Sequence, residues 1–392
     1  MTVADTGPRS RLRVIVATPA REEGGVLRAV LDLAAGLQQR GHDVLVAIPG
    51  DAEAVQVATA ARQLAWVDLE RSARTAADVW HLHANNSLDR RLLALLARRR
   101  TVAGSRVLTE HLPRTFHTDA SIPLDPGMVH GRRKPGARQA KTVLKRLEFA
   151  LSDQVLTPAV ASAEFLAQRY RLRRSAIATI HNGVPVPDRA APVPDADVLE
   201  VLVVGMLVHR KGQDVLLEAA ARAAEPWNVT FVGEGTARGA LERSAARIEH
   251  RRVRFAGWRA DAATAPLACH VACIPSRAES FPYVALEAMA CARAIVASRI
   301  DGLSEVVEDG VTGLLVAPED PDALARALDR LAADRSLVRR MGEAAHARVR
   351  DRFGVDAMVD RTVELYLRLS GVSGGRTRRC AAAARSALSR TR

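Results

Sequence analysis

Aromatic side chains are scarce in this sequence, at 4% of 392 residues. No basic stretch is interleaved with stacking rings, which argues against a nucleic-acid-binding protein that grips single strands on aromatic platforms. Cysteine is scarcer still: Cys269, Cys273, Cys291 and Cys380 are the only four. That count is too low for a disulfide framework and fits a reducing compartment. Cys269 and Cys273 flank His270 in a short apolar run ending at Pro275, where small buried thiols are a commoner outcome than a metal site. No apolar run approaches the roughly 20 residues needed to span a bilayer, and MTVADTGPRSRLR lacks the apolar core of a secretory signal. The expectation is a cytoplasmic protein.

What is present is a mixed, half-apolar composition (48% hydrophobic, 26% charged) with a net charge of +13. Such a chain should be globular, long enough for two domains, and inclined toward anionic partners such as nucleotides, lipid headgroups or nucleic acid, among which charge alone does not choose. Val14-Ile15-Val16-Ala17 reads as a buried parallel strand, followed by Gly24-Gly25, a helical apolar spacing that stops near Gly41, and a second strand from Val44 to Ala47. The same βαβ grammar continues through DVWHLH, RVLTEH, DQVLTPA and IATIHNGV. A proline-rich segment without periodicity then reads as a linker. After it, VLEVLVVG, WNVTFVGEG, VRFAGW, HVACIPS, AIVAS and GLLVAP alternate with helical stretches, so a second doubly wound domain is expected. The predicted organisation is a disordered 1–10, a first Rossmann-like domain over 11–186, a linker at 187–198, a second domain over 199–350, a final amphipathic helix at 351–372 and a basic tail at 373–392.

The separated motifs resemble glycosyltransferase family 4 over residues 13 to 370. They are Gly24-Gly25, RGHDV at 40–44, TEH ending at His111, IHNGV at 180–184, VGMLVHRKG at 204–212, ESFPYVALEAMA from Glu279, and GLSEVVEDGVTGLLV at 302–316. The resemblance implies a GT-B fold: α/β, two Rossmann-like doubly wound domains facing across a cleft, with the C-terminal helix crossing back to the first. It implies that Glu279 faces the transferred sugar and that Glu287, eight positions on, binds the ribose hydroxyls. A carboxylate suits a vicinal diol, and the free backbone N–H groups of Tyr283 and Val284 at a helix start suit a diphosphate. Lys211 matches the family lysine on the diphosphate, where its charge would stabilise the leaving group. The arginine that commonly partners it is replaced here by Met206, and Arg210 is the nearest substitute.

The resemblance further implies that Gly24 and Gly25 approach the donor from the first domain and that His111 is the active-site histidine. His81 and His83 are expected on the acceptor side or as structural residues. Glu305 is expected to order the donor pocket, and Arg259 to lie in the loop whose backbone contacts the base. No paired-aspartate motif stands in the second half, so no metal and no cofactor are expected, and basic groups would take the electrostatic role of a metal.

The expected activity is a retaining transfer of a sugar from a nucleotide-diphosphate sugar to a hydroxyl acceptor, in glycolipid or cell-surface polysaccharide assembly. A sugar-nucleotide epimerase or a phosphorylase on the same fold stays open as an alternative, and a nucleic-acid-binding protein as a distant one. Two acid-free basic stretches, 130–146 and 376–392, suggest peripheral attachment to an anionic membrane surface, near a lipid-linked acceptor.

Overall fold

A computed structural model describes residues 11–21, 24–84, 89–97, 104–111 and 137–371. The first sheet is parallel, in the order β3-β2-β1-β4-β5-β6-β7. Its strands are β1 (Arg13–Ala17), β2 (Asp43–Ile48), β3 (Trp66–Asp68), β4 (Val79–Ala84), β5 (Ser105–Glu110), β6 (Gln154–Thr157) and β7 (Ile177–Thr179). Helices α1 (Gly25–Gln39), α2 (Glu53–Ala61), α3 (Leu69–Ser72), α4 (Arg90–Ala97), α5 (Ala137–Leu151) and α6 (Val160–Tyr170) cover it. The unbroken apolar run in β1 has a simple cause. Val14 and Val16 enter the core with Leu27, Val30, Leu31 and Leu37 of α1, while Ile15 and Ala17 enter the opposite core with Leu92, Leu96 and Phe149. Both faces are dry, and each fully buried large aliphatic side chain contributes about 1.5–3 kcal/mol.

The second sheet, also parallel, runs β10-β9-β8-β11-β12-β13. It comprises β8 (Leu199–Val204), β9 (Trp227–Val232), β10 (Val253–Phe255), β11 (Val271–Ile274), β12 (Ala294–Ser298) and β13 (Gly313–Val316). With it go α7 (Gln213–Arg222), α8 (Arg238–Ala245), α9 (Tyr283–Ala290), α10 (Asp301–Val306), α11 (Pro321–Ala333), α12 (Arg335–Arg352) and α13 (Val355–Leu369). Strand order reverses between β1 and β4 in one sheet and between β8 and β11 in the other, and ligands of doubly wound sheets bind beyond the carboxyl ends of strands at such points.

α13 leaves the second unit and packs on α1 of the first. The helices approach so closely that a Cβ at Gly36 would stand 2.5 Å from Cγ2 of Val359, so only glycine fits there. Arg40 pairs with Asp356 and Asp360 at 3.1 and 2.6 Å, and the Tyr366 hydroxyl meets Nδ1 of His81 at 2.6 Å. The two units also share a core: Ala29, Ala159 and Val184 join Phe281, Tyr283 and Leu286 around α9.

The proline-rich segment is no free tether. Its carbonyls at Pro187, Pro192, Pro194 and Ala196 accept from His346 (2.9 Å), Arg293 (2.8 Å), His270 (2.9 Å) and Arg335 (2.9 Å), strapping it to the second unit. Prolines remove donors and so bar a strand, but they leave acceptors, which side-chain N–H groups satisfy.

Candidate functional site

Beyond the carboxyl ends of β8 and β11 lie a 3-10 turn, His209–Lys211, and the loop from Pro275 to Pro282. Glu279 sits in that loop, 6% exposed, with three partners: Lys211 Nζ at 2.6 Å, Ser276 Oγ at 3.0 Å and Arg210 Nη1 at 3.3 Å. Burial alone would raise its pKa. The charges of Lys211 and Arg210 and the hydrogen bonds outweigh burial and bring it down to about 2. Glu279 is thus a fixed anion between two cations. Met206 is 61% exposed, while Arg210 puts a second positive charge beside Glu279; its Nη1 also donates to Ala278 O at 2.7 Å.

Pro282 caps α9, so the N–H groups of Tyr283 and Val284, the first two helical residues, have no intrahelical acceptor. This helix start faces the first unit: a Cβ on Gly25 would lie 3.6 Å from Cδ2 of Tyr283, while one on Gly24 would meet nothing within 4 Å. The buried Tyr283 hydroxyl has no hydrogen-bond partner among the described residues.

One turn into α9, Glu287 is held from across the cleft by Arg28 of α1, whose Nη1 donates to Oε1. Arg28 is in turn held by Asp32 at 3.1 Å and lies 5.6 Å from the Tyr283 ring centroid, and Asp32 also pairs with Arg62 at 2.8 Å. Burial raises the pKa of Glu287 against the pull of Arg28. The sequence reading missed Arg28. Its one signal is its place three residues after Gly25, in the first turn of a helix whose start faces the cleft.

His111 follows β5 and is buried, its Nε2 2.8 Å from Nδ1 of His83 with the rings stacked at 5.0 Å. Nε2 of His83 is buried with no partner among the described residues. Both nitrogens of His81 are occupied, by Tyr366 and by Thr109 Oγ1 at 2.6 Å. His81 therefore ties α13 to β4 and β5, in line with the structural of the two roles expected for it. The three rings line a narrow cavity of about 30 Å³ with Asn182 and Met358. Burial holds all three well below the usual imidazole range, His81 at about 3 and His111 at about 4.

The side chains of Glu305 and Arg259 each have partners of their own. Glu305 turns to the first unit: its carboxylate accepts from the N–H groups of Val160 and Ala161 at 2.9 and 3.0 Å, capping α6, and meets His181 at 3.3 Å. The α6 start lacks a side-chain cap of its own, and an anion from the neighbouring unit satisfies it. The Arg259 side chain forks onto Asp261 at 2.9 and 2.6 Å and lines a separate cavity of about 320 Å³ against β8, β9 and β10. Among the described residues no group of three or more His, Cys, Asp or Glu could hold a metal ion, and Cys269, Cys273 and Cys291 are buried free thiols.

Comparison with known proteins agrees with this geometry. The family described as Glycosyltransferase Family 4 matches residues 23–186, and the family described as Glycosyl transferases group 1 matches residues 199–334. A lipopolysaccharide core biosynthesis glycosyltransferase, LpsE of Rhizobium meliloti, is 34% identical over 179 residues, 45% of this chain and 52% of that protein. A D-inositol 3-phosphate glycosyltransferase of Streptomyces griseus is 31% identical over 261 residues, 55% of this chain and 53% of that protein. The chain thus spans about half the length of these curated relatives. Among solved structures, Anabaena Alr3699/HepE in complex with UDP-glucose superposes with a TM-score of 0.74 at 21% identity, covering 91% of this chain and 99% of that one. Sucrose-phosphate synthase of Thermosynechococcus elongatus gives 0.70 at 20% identity, covering 92% and 100%. These similarities establish the GT-B fold.

Proposed function

This chain belongs to the family 4-like glycosyltransferases of the GT-B fold, and from that premise we propose that it moves a sugar, with retention and without a metal, from a nucleotide-diphosphate sugar to a hydroxyl acceptor in glycolipid or cell-surface polysaccharide assembly. The observation that carries the reading is the buried Glu279 between Lys211 and Arg210 at the switch point of the second sheet, beside the open N–H groups of α9.

In this reading the donor diphosphate lies on the N–H groups of Tyr283 and Val284, and Lys211 keeps two of its three protons for it. As the bond to the sugar breaks, negative charge grows on the β-phosphate, and both fixed cations are already in place. Glu279 accepts from sugar hydroxyls and opposes the positive charge developing on the ring. Glu287 uses Oε2, the oxygen not taken by Arg28, for the ribose. With retention the acceptor oxygen enters on the face the phosphate leaves, so the departing phosphate itself takes the acceptor's proton.

The test is a panel of UDP-, GDP- and ADP-sugars read by thermal shift and by donor consumption with and without added acceptor. One nucleotide class should raise Tm, with consumption stimulated by a hydroxyl acceptor. Full consumption without acceptor would favour an epimerase, and no shift with any class would sink the reading.

We place the enzyme at the surface of an anionic membrane. No helix among the described residues is long and apolar enough to cross one. α5 exposes Val143, Leu144 and Leu147 on one side, with basic Arg146 also exposed. Residues 130–136 of the first basic stretch, and the tail 376–392, lie outside the described residues. Each basic residue near an anionic surface contributes about 1 kcal/mol at low salt. Flotation should recover the protein with anionic vesicles at low salt and lose it at high salt. Equal recovery with neutral vesicles would leave a soluble acceptor as the better choice.

A further inference from the structure

Lys211 and Arg210 stand on a 3-10 turn of three residues, too short to hold its own shape. Something must fix it against the loop that carries Glu279. Arg277 lies between them, its side chain 5% exposed. Its Nη1 donates to the carbonyl of His209 at 2.6 Å and to Asp214 Oδ1 at 2.8 Å. Its Nη2 completes the fork on Asp214 Oδ2 at 2.8 Å, and Nε donates to Glu319 Oε1 at 3.0 Å. Its backbone N–H donates to the carbonyl of Arg210 at 2.9 Å. Asp214 is in the first turn of α7, directly after the turn, and Glu319 reaches in from beyond β13 with a left-handed φ of 59°. Gly212 closes the approach: at φ 67° a Cβ there would stand 1.9 Å from Pro275 O.

We propose that Arg277 is the positioning residue of the diphosphate clamp, tying the His209–Lys211 turn to the Glu279 loop so that Lys211 Nζ is held on Glu279. This rests on the reading of Lys211 as a donor-binding cation, but the positional claim is separately measurable. A buried bidentate guanidinium is the group for this task, because its planar fork fixes orientation where a lysine ammonium fixes only distance.

The chain has four lysines, Lys134, Lys141, Lys145 and Lys211, which makes amine labelling specific. Reductive methylation read by mass spectrometry should modify Lys211 about fivefold faster in Arg277→Gln than in the parent, with Lys141 unchanged and buried Lys145 still protected as controls for an intact fold. Arg277→Lys should fall between them. If Arg277→Gln does not fold, Asp214→Asn, which weakens the same fork, should give the same sign. UDP binding by calorimetry should weaken about tenfold in Arg277→Gln, and Arg277→Gln should add less than about twofold to Lys211→Ala, because both variants remove the same interaction. Unchanged Lys211 labelling in a folded Arg277→Gln or Asp214→Asn variant, or fully additive losses in the double variant, overturns the proposal. A parent that binds no UDP, GDP or ADP counts against the sugar-nucleotide reading instead, and the labelling alone then decides the role of Arg277.

Discussion

Glu279→Ala should lower turnover about 10²–10³-fold at saturating donor while leaving donor affinity near that of the parent. The reason is electrostatic. Removing Glu279 leaves Lys211 and Arg210 without their shared counter-ion, and two unpaired cations bind a diphosphate at least as well as before. What is lost is the anion beside the sugar, whose positive charge develops only in the transition state. Glu287→Ala should do the reverse. A hydrogen bond to a charged group contributes about 1.5–3 kcal/mol, so donor affinity should fall about 10–100-fold with turnover little changed. Arg28 survives that change structurally because Asp32 still holds it. Steady-state kinetics with donor varied at fixed acceptor separate the two variants. If both turn over like the parent, neither carboxylate belongs to the active site.

Acidification should unfold this protein early, and the cause lies in the first unit rather than in the carboxylates. Burial, with the charge of neighbouring imidazoles, keeps His81 and His83 neutral in the folded chain, and burial alone does so for His111. An unfolded histidine binds its proton near 6.5, whereas His111 waits until about 4 and His81 until about 3. Between those values the unfolded state holds more protons, so stability is complete above about pH 6.5 and falls as pH drops toward the folded values. At pH 5 His81 and His111 each cost about 2 kcal/mol, and His83 acts in the same direction. Glu279 works in a lower window: with its folded value near 2, its contribution is whole above about 4.5 and is lost only below that. Urea midpoints at pH 7.5, 6 and 5 should therefore decline steadily, well above the range in which Glu279 is protonated. A flat midpoint from 7.5 to 5 would mean that water reaches these rings.

Glu305 marks where sequence reading stops. Its motif was visible, and so was its acidity, yet its partners are two N–H groups roughly 145 positions away that no pattern around residue 305 announces. His81 is similar, since a histidine at a strand end reads the same whether it meets a substrate or the hydroxyl of Tyr366. The proline-rich segment was legible as a break in periodicity, because prolines bar helix and strand locally, but its docking depends on Arg293, His270 and Arg335, which folding brings beneath it.

By itself the sequence determined the two parallel sheets and their alternation with helices, because buried strands and amphipathic helices write their periods into a few adjacent residues. It also determined that Glu279 precedes a helix and Glu287 lies inside it, since Pro282 can begin a helix but not continue one. Only the tertiary structure decided that Arg28 reaches Glu287, that Arg277 braces the turn under Lys211, and that the returning α13 pairs Asp360 with Arg40 at the end of α1. Those contacts join residues between 68 and 320 positions apart, and their energy depends on distances set by how the sheets and helices pack, a quantity that no local pattern of residues encodes.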